Sequence, residues 1–265
     1  MKKLILFAVV LLVAYGSFAQ RDMKQLFNGK DLEGWDTYVG PKEKGGTPIG
    51  LNVDPMKIFT VTNLDGAMVL HISGEINASI ATKKEYKNYH IRMVFKWGEK
   101  LYTQFNSGLL YHSYGDFGAG LGVWMSSHEL QLCAKKMGDS YCMGKSYFEI
   151  PVVKSSDGKT YTYSPTGDKT TFGQGQTAAN ATKAVDFEKP KGEWNVIDLY
   201  CYGRTSVHVV NNGVNMVNYN SGKIEDGKVV PLAGGKIQIQ SEGGELFVKS
   251  LEIEPIKAIP AELLQ

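Results

Sequence analysis

The sequence predicts an all-β protein, a two-sheet antiparallel β-sandwich of the jelly-roll kind. Short runs of alternating polar and apolar residues recur at even spacing along the chain. Its 265 residues include 30 glycines, 14 tyrosines and 11 phenylalanines, a composition that favours strands joined by tight turns. No long amphipathic helix and no internal repeat interrupts this pattern.

The first 19 residues read as an export signal. Two lysines open the segment, a short apolar run follows, and a small-x-small cleavage pattern ends at Ala19. We expect cleavage after Ala19 and a periplasmic or secreted protein. Because no cysteine follows the signal directly, a lipid anchor is not expected. Residues 20–265 are expected to form a single jelly-roll domain.

The charge balance argues against two classes of partner. Removing residues 1–19 deletes two lysines, so the formal charge falls from +2 to 0. A neutral chain without a basic patch is not typical of nucleic-acid binding. The apolar run of the signal is too short to span a bilayer comfortably, and no amphipathic cationic helix follows, so membrane insertion is not expected either.

Regular strands alternate with turn-rich segments along the mature chain. Residues 41–55 are rich in glycine and proline, which predicts a loop. Residues 151–192 contain several turn-like clusters and few aliphatic residues, which predicts a long excursion with one hairpin around Tyr161–Tyr163. The predicted strands are Phe59–Thr62, Met68–Ile72, His90–Trp97, Gly108–His112, His128–Cys133, Trp194–Tyr202, Ser206–Val210, Val214–Tyr219, Lys236–Gln240 and Leu246–Glu254.

The stretch from residue 106 to residue 144 is the first place to look for an active site. Successive strand residues point to opposite faces. The strand at residues 128–133 therefore turns Leu130 and Leu132 to a core and presents Glu129 and Gln131 on the other face. We expect the concave face of one sheet to carry these two polar side chains together with Gln240.

The sequence alone decides neither the disulfide pairing of the cysteines nor the binding of a metal. The chain has three cysteines, at positions 133, 142 and 201. Export permits disulfides, and Cys133 with Cys142 would clip the loop between them, but an odd count leaves one thiol unpaired and the pairing undecided. No motif for a metal is present, although an oxygen-rich site for a divalent metal such as calcium needs only carboxylates and carbonyls from separate loops.

An ordered set of motifs resembles the 3-keto-disaccharide hydrolase domain family (DUF1080). The resemblance spans about residues 25–255. It rests on LFNGKDLEGW near the start, NSGLLYH and HELQL in the middle, and GEWNVIDLY, NNGV and GKIQIQSEGGELFVKSLEIEPI at the end. It implies a concanavalin A/laminarinase-like jelly roll, a carbohydrate substrate, and a sugar 3-oxidoreductase as the functional partner that makes the ketone.

The resemblance also carries over to individual positions. Glu129 and Gln131 match the acidic residue and the glutamine of the family's Tyr-Glu-x-Gln strand, with histidine where tyrosine is usual. His112 stands where many members carry arginine. The tetrapeptide that starts at Gln240 and includes Glu242 stands where other members read Gln-Asp-His-Gly.

The chemistry that the resemblance implies needs particular side chains. A ketone at C3 of a sugar acidifies the C2 hydrogen, so that a base can remove it, C1–O can break by elimination, and water can add back. This requires a general base, a donor for the leaving oxygen and a stabiliser for the enolate. The candidate catalytic residues are Glu129, His112 and Glu242, and the candidate substrate-binding residues are Gln131, Gln240, Trp124 and Tyr111.

Two other functions stay open. A conventional retaining glycosidase of laminarinase type would show Glu-x-Asp-x-x-Glu on one strand, and Gln131 stands where the acidic partner belongs. A second strand would have to complete the carboxylate pair. A non-catalytic, lectin-like carbohydrate-binding module would use the same amides and aromatic rings without a tuned acid or base.

Overall fold

The computed structural model describes residues 23–265, so the predicted export signal lies outside the described residues. These residues form strands and one short 3-10 turn at Ala261–Leu264. No α-helix occurs among residues 23–265, and no helix there is long and apolar enough to cross a membrane.

The strands are short and follow one another closely. In chain order they are β1 (Lys24–Gln25), β2 (Trp35–Val39), β3 (Gly50–Leu51), β4 (Phe59–Leu64), β5 (Ala67–Ile72), β6 (Ala78–Thr82), β7 (Tyr89–Leu101), β8 (Gly108–Tyr114), β9 (Ser126–Gln131), β10 (Ser140–Met143), β11 (Ser146–Lys154), β12 (Tyr161–Tyr163), β13 (Asp168–Gly173), β14 (Asn180–Ala181), β15 (Asn195–Tyr202), β16 (Thr205–Val210), β17 (Gly213–Glu225), β18 (Lys228–Pro231), β19 (Lys236–Ser241) and β20 (Gly244–Pro255).

The strands build two antiparallel sheets. The larger sheet has the order β12-β11-β17-β16-β15-β7-β20-β5-β4, with β13, β18 and β1 paired at its sides. The smaller sheet has the order β14-β10-β9-β8-β19-β6-β2-β3. The predicted all-β antiparallel sandwich is therefore confirmed.

The main core lies between the two sheets. One set of side chains comes from the larger sheet and one from the smaller sheet, and burying each of them stabilises the fold by about 1.5–3 kcal/mol. They include Ile91, Met93, Phe95, Leu199 and Leu251 from the larger sheet, and Ile80, Leu109, Leu130, Ile237 and Ile239 from the smaller sheet.

Residues 151–192 are more regular than the sequence predicted. The hairpin strand at Tyr161–Tyr163 is confirmed, but β11 extends into this region and pairs with both β12 and β13. The turn-like clusters are tight connections between these strands. A second apolar cluster supports them, in which Phe148, Ile150 and Phe172 are fully buried. The region itself contributes Val152, Tyr163, Phe172 and Ala181 to this cluster, and these buried residues hold a stretch whose composition predicted a loop.

All three cysteines are free thiols. The pairing of Cys133 with Cys142 does not occur, because the two residues belong to opposite faces of the smaller sheet. Cys133 is buried on the outer face of the sheet. Cys142 pairs with His128, and its thiol donates to the Phe172 carbonyl at 3.4 Å, toward the second apolar cluster.

Candidate functional site

Strand β9 carries the polar pair that the sequence singled out. Leu130 and the following Leu132 are fully buried in the core between the sheets. Because side chains alternate along a strand, Glu129 and Gln131 point to the outer face of the smaller sheet. They are nevertheless only 2% and 6% exposed, since neighbouring segments cover this face.

A glycine in the next strand makes room for these groups. Gly108 in β8 pairs with Gln131, and Leu109 beside it pairs with Ile239 of β19. A Cβ atom at position 108 would overlap with Oε1 of Glu129 and with Oε1 of Gln240. The absence of a side chain at Gly108 is therefore what lets a carboxylate from β9 and an amide from β19 approach each other.

These side chains border a pocket on the outer face. Three of the predicted site residues line it: Glu129, Gln131 and Glu242. Gln240 is fully buried beside Glu129 at the floor. The remaining lining residues are Gln104, Asn106, Leu121, Cys133, Lys136, Tyr141 and Met143.

Sequence reasoning missed most of that last group. Asn106 belongs to the NSGLLYH motif and was within reach of the sequence. Tyr141 sits opposite Glu129 in the β9–β10 pairing, and Lys136 lies in the turn that joins those strands. The positions of Tyr141 and Lys136 at the pocket depend on the β9–β10 pairing, and no local sequence pattern predicts that pairing.

The two carboxyl groups of the pocket have perturbed proton affinities. Burial, and secondarily the charge of Glu242, raise the pKa of Glu129 well above its ordinary value. Burial raises the pKa of Glu242 to about 7. Two neighbouring carboxyl groups in a dry environment cannot both ionise easily. Near neutral pH Glu129 therefore keeps its proton, whereas Glu242 is close to half-ionised.

Several polar atoms at the site have no hydrogen-bond partner among the described residues. They are Oε1 of Glu129, Oδ1 of Asn106 and both amide atoms of Gln240. By contrast, Oε1 of Gln131 accepts bonds from the backbone N–H groups of Leu132 and Cys133 at 2.9 and 3.0 Å. That fixes the Gln131 amide and leaves its N–H groups for a ligand. Unpartnered buried groups are costly, so they are typical of a surface that binds a polar molecule.

The structure does not bring His112 to this pocket. Strict alternation would place it on the same face as Gly108, but β8 is bulged where its register against β9 shifts between Tyr111 and Tyr114. His112 takes a left-handed conformation, with φ of 51°, and its ring turns inward to Nδ1···Oγ contact with Ser221 at 3.4 Å. Burial, and then the neighbouring His128, lower its pKa well below the ordinary value.

Tyr111 and Trp124 also lie away from the pocket. The Tyr111 hydroxyl contacts Ser206 and His208 between the sheets, at 2.8 and 3.0 Å, and the side chain is fully buried. Trp124 is 1% exposed, and its indole N–H donates to the Ala78 carbonyl at 3.1 Å. Neither ring presents a face to a sugar; Trp124 instead anchors the loop that borders the pocket.

Comparison with solved structures finds several proteins that align with most of this chain at low sequence identity. Two candidate glycosyl hydrolases from Parabacteroides distasonis share 20% and 19% identity with this chain. The first alignment covers 88% of this chain and 93% of the other, with a TM-score of 0.48. The second covers 74% and 90%, with a TM-score of 0.45. The carbohydrate binding module CBM66 from Bacillus subtilis is 8% identical, with coverage of 88% and 97% and a TM-score of 0.45.

The assignment to a family comes from the sequence itself. No curated protein matches the chain significantly. The family model described as a 3-keto-alpha-glucoside-1,2-lyase-like domain matches residues 22–254, a range that includes every residue of the pocket. The chain therefore belongs to the family of 3-keto-alpha-glucoside-1,2-lyase-like domains.

Proposed function

We propose that this protein cleaves 3-keto glycosides by removing the C2 proton, eliminating the C1 substituent and adding water. The observation that carries the proposal is the pair of buried carboxyl groups, Glu129 and Glu242, which share one pocket and both have raised pKa values. Neighbouring groups with separated proton affinities are the usual arrangement for an acid and a base that act in one reaction.

The order of proton loss assigns the roles. Glu242, with a pKa of about 7, is substantially ionised at neutral pH and acts as the base. Glu129 is more deeply buried and feels the charge of Glu242, so it keeps its proton and acts as the acid toward the leaving oxygen. The amide groups of Gln131, Asn106 and Gln240 hold sugar hydroxyls and the ketone.

The reaction has two stages, elimination and then hydration. Glu242 takes the proton from C2, and the C–H electron pair forms the C2=C3 bond of an enolate. The enolate collapses to restore the C3 carbonyl, C1=C2 forms, and the C1–O bond breaks. The leaving oxygen takes the proton of Glu129. Water then adds across C1=C2: its oxygen bonds to C1 while the Glu129 carboxylate takes one of its protons, and Glu242 returns its proton to C2. This yields the free 3-keto sugar and restores both carboxyl groups.

The same donors fit a hard divalent cation such as calcium. The carboxyl groups of Glu129 and Glu242 and the amide of Asn106 line the pocket, and the unpartnered amide oxygen of Gln240 lies beneath it. Calcium prefers oxygen ligands of these kinds and would displace the Glu129 proton on binding. Within residues 23–265 no three His, Cys, Asp or Glu side chains form a metal cluster, so a bound cation would depend on the amides as well. A cation there would polarise the ketone.

Two substitutions separate the roles, because each keeps the shape of the side chain. Glu242→Gln should lower turnover about 10²–10⁴-fold, the usual contribution of a general base, and abolish exchange of the C2 hydrogen with solvent. Glu129→Gln should keep that exchange and lose activity mainly on glycosides with poor leaving groups. Glu193→Gln, at an exposed site, is the matched control.

The assay compares a glycoside with its 3-keto derivative, with and without a chelator. Full activity in both variants would refute the assignment of the carboxyl pair. Cleavage of the unoxidised glycoside would instead indicate a conventional glycosidase whose second carboxylate is Glu242. Sugar binding without any cleavage would indicate a lectin-like module.

The cellular setting is part of the same proposal. The export signal at residues 1–19 indicates action in the periplasm or outside the cell. The ketone has to be made by oxidation of a C3 hydroxyl, so a sugar 3-oxidoreductase is the expected functional partner.

A further inference from the structure

A leucine occupies an unusual turn at the edge of the pocket. The turn runs from Gly120 to Val123, and the Val123 N–H donates to the Gly120 carbonyl at 3.1 Å. Its two central residues, Leu121 and Gly122, have φ of 48° and 80°. Two positive φ values with this bond define a type I′ turn, in which glycine, asparagine and aspartate are preferred. A leucine at the first central position is strained.

The exposure of Leu121 is equally unusual. Its side chain is 77% exposed, the largest value among the exposed large apolar residues that the structure describes. Packing within the described chain therefore does not explain why a leucine stands here. Leu121 does line the pocket that holds Glu129 and Glu242. Local strain that folding does not explain is often found at functional sites.

Hydrogen bonds and a stacked pair of rings hold the turn in place. Gly120 and Trp124 exchange backbone hydrogen bonds of 2.7 and 2.9 Å, and the buried Trp124 indole is tied to strand β6 through Ala78. On the other side of the loop, Phe117 stacks on Tyr38 with the ring centroids 5.2 Å apart and the planes 2° apart. The position of Leu121 is therefore fixed before a ligand arrives.

Leu121 is part of an apolar wall. Gly120 packs so tightly on Met143 that a Cβ atom at Gly120 would overlap with the Met143 side chain, and Met143 also lines the pocket. The carboxyl and amide groups of the floor suit a sugar ring. The wall of Leu121 and Met143 suits a group that does not form hydrogen bonds.

We propose that Leu121 is a specificity-determining residue that contacts an apolar leaving group, so that the preferred substrates are 3-keto glycosides with aryl aglycones rather than disaccharides. This inference rests on the function proposed above and narrows its substrate class. The sugar ring occupies the polar floor, and the aglycone extends past the open edge of the pocket onto the hydrocarbon of Leu121 and Met143.

The test is the substitution Leu121→Asn. Asparagine accepts the left-handed conformation, so the melting temperature should rise by about 2 °C. The loss of contact with one or two buried methylene equivalents should raise KM for phenyl 3-keto glucosides about 4- to 15-fold. The KM for methyl 3-keto glucosides should rise less, because a methyl aglycone makes a smaller contact with Leu121.

Two further variants make the result specific. Leu121→Met keeps an apolar contact and should keep the preference for phenyl over methyl glucosides. Leu264→Asn changes a 40% exposed leucine in the C-terminal 3-10 turn, which does not line the pocket, and should leave both substrates unaffected. Equal KM values of Leu121→Asn and wild type for phenyl substrates, or an equal effect on phenyl and methyl substrates, would overturn the proposal. A lower melting temperature would overturn the strain argument.

Binding of unoxidised phenyl and methyl glucosides, measured by calorimetry, separates this inference from the proposed function. If the wild-type protein cleaves no 3-keto glycoside, the proposed reaction fails. Tighter binding of phenyl than of methyl glucosides, lost in Leu121→Asn, would still support the apolar contact. Equal binding of both glucosides by the wild-type protein would refute it.

Discussion

The substitution Glu242→Gln should stabilise the protein at alkaline pH and not at acid pH. In the folded protein, burial raises the pKa of Glu242 from 4.5 to about 7. The folded state thus binds this proton more tightly than the unfolded state does, so stability falls as the pH rises from about 4.5 to 7. Glutamine cannot ionise and is free of this penalty.

The size of the effect follows from the shift. One pKa unit corresponds to about 1.4 kcal/mol, so a shift from 4.5 to about 7 costs the wild-type protein about 3 kcal/mol above pH 7. At 2–4 °C per kcal/mol for a chain of this size, the melting temperature at pH 8.5 should rise by about 6–12 °C.

The assay is denaturant unfolding of wild type and variant at pH 5 and pH 8.5. At pH 5 the folded wild type is protonated while its unfolded chain is largely ionised, so we expect a gain of less than about 1 kcal/mol for Glu242→Gln, against the full gain at pH 8.5. Glu193→Gln, at an exposed position, should show no gain at either pH. If Glu242→Gln has the same stability as wild type at both pH values, Glu242 is hydrated like a free carboxylate, and its assignment as a tuned base fails.

Two further predictions concern the floor of the pocket and the interior. Gly108→Ala should cost about 1–3 kcal/mol of stability and most of the activity, because the added Cβ overlaps with Glu129 and Gln240; unchanged unfolding curves and activity would contradict this. Burial lowers the pKa of His128 to about 4 and of His208 to about 3, so both rings stay neutral in the folded protein while the unfolded chain protonates them below about pH 6.5. The contribution of these rings to stability should therefore fall as the pH drops from 6.5 to 4, by about 3 kcal/mol for His128 alone. Because Glu242 changes stability in the opposite sense over this range, the check is an NMR titration of the ring protons, and titration of either ring near pH 6.5 in the folded protein would refute its burial.

Part of the candidate site was predictable because strand alternation is local. Leu130 and Leu132 were expected in the core, with Glu129 and Gln131 on the opposite face, and each of the four side chains lies on the expected face. A strand of known period needs no partner to fix which side chains share a face. The antiparallel sandwich followed from the same pattern repeated along the chain.

The sequence predictions that the structure contradicts also have specific physical causes. His112 lies one residue into a bulge, and a bulge is a property of strand pairing that reverses the face of every residue after it. Trp124 was expected to offer a flat face to a sugar. Its indole N–H instead donates to the Ala78 carbonyl, and its ring packs in a small buried apolar cluster under the loop. Apart from the hairpin at Tyr161–Tyr163, residues 151–192 looked like a loop because turn-rich composition conceals strands as short as β14.

By itself, the sequence determined the fold class, the family and the polar face of β9, because these depend on local periodicity and on motifs in a fixed order. Only the tertiary structure decided which groups meet. Glu129 and Glu242 lie 113 positions apart in the chain, and they share a pocket because β8 pairs with β9 on one side and with β19 on the other. Their raised pKa values arise from burial by segments remote in sequence, and no local pattern encodes that burial.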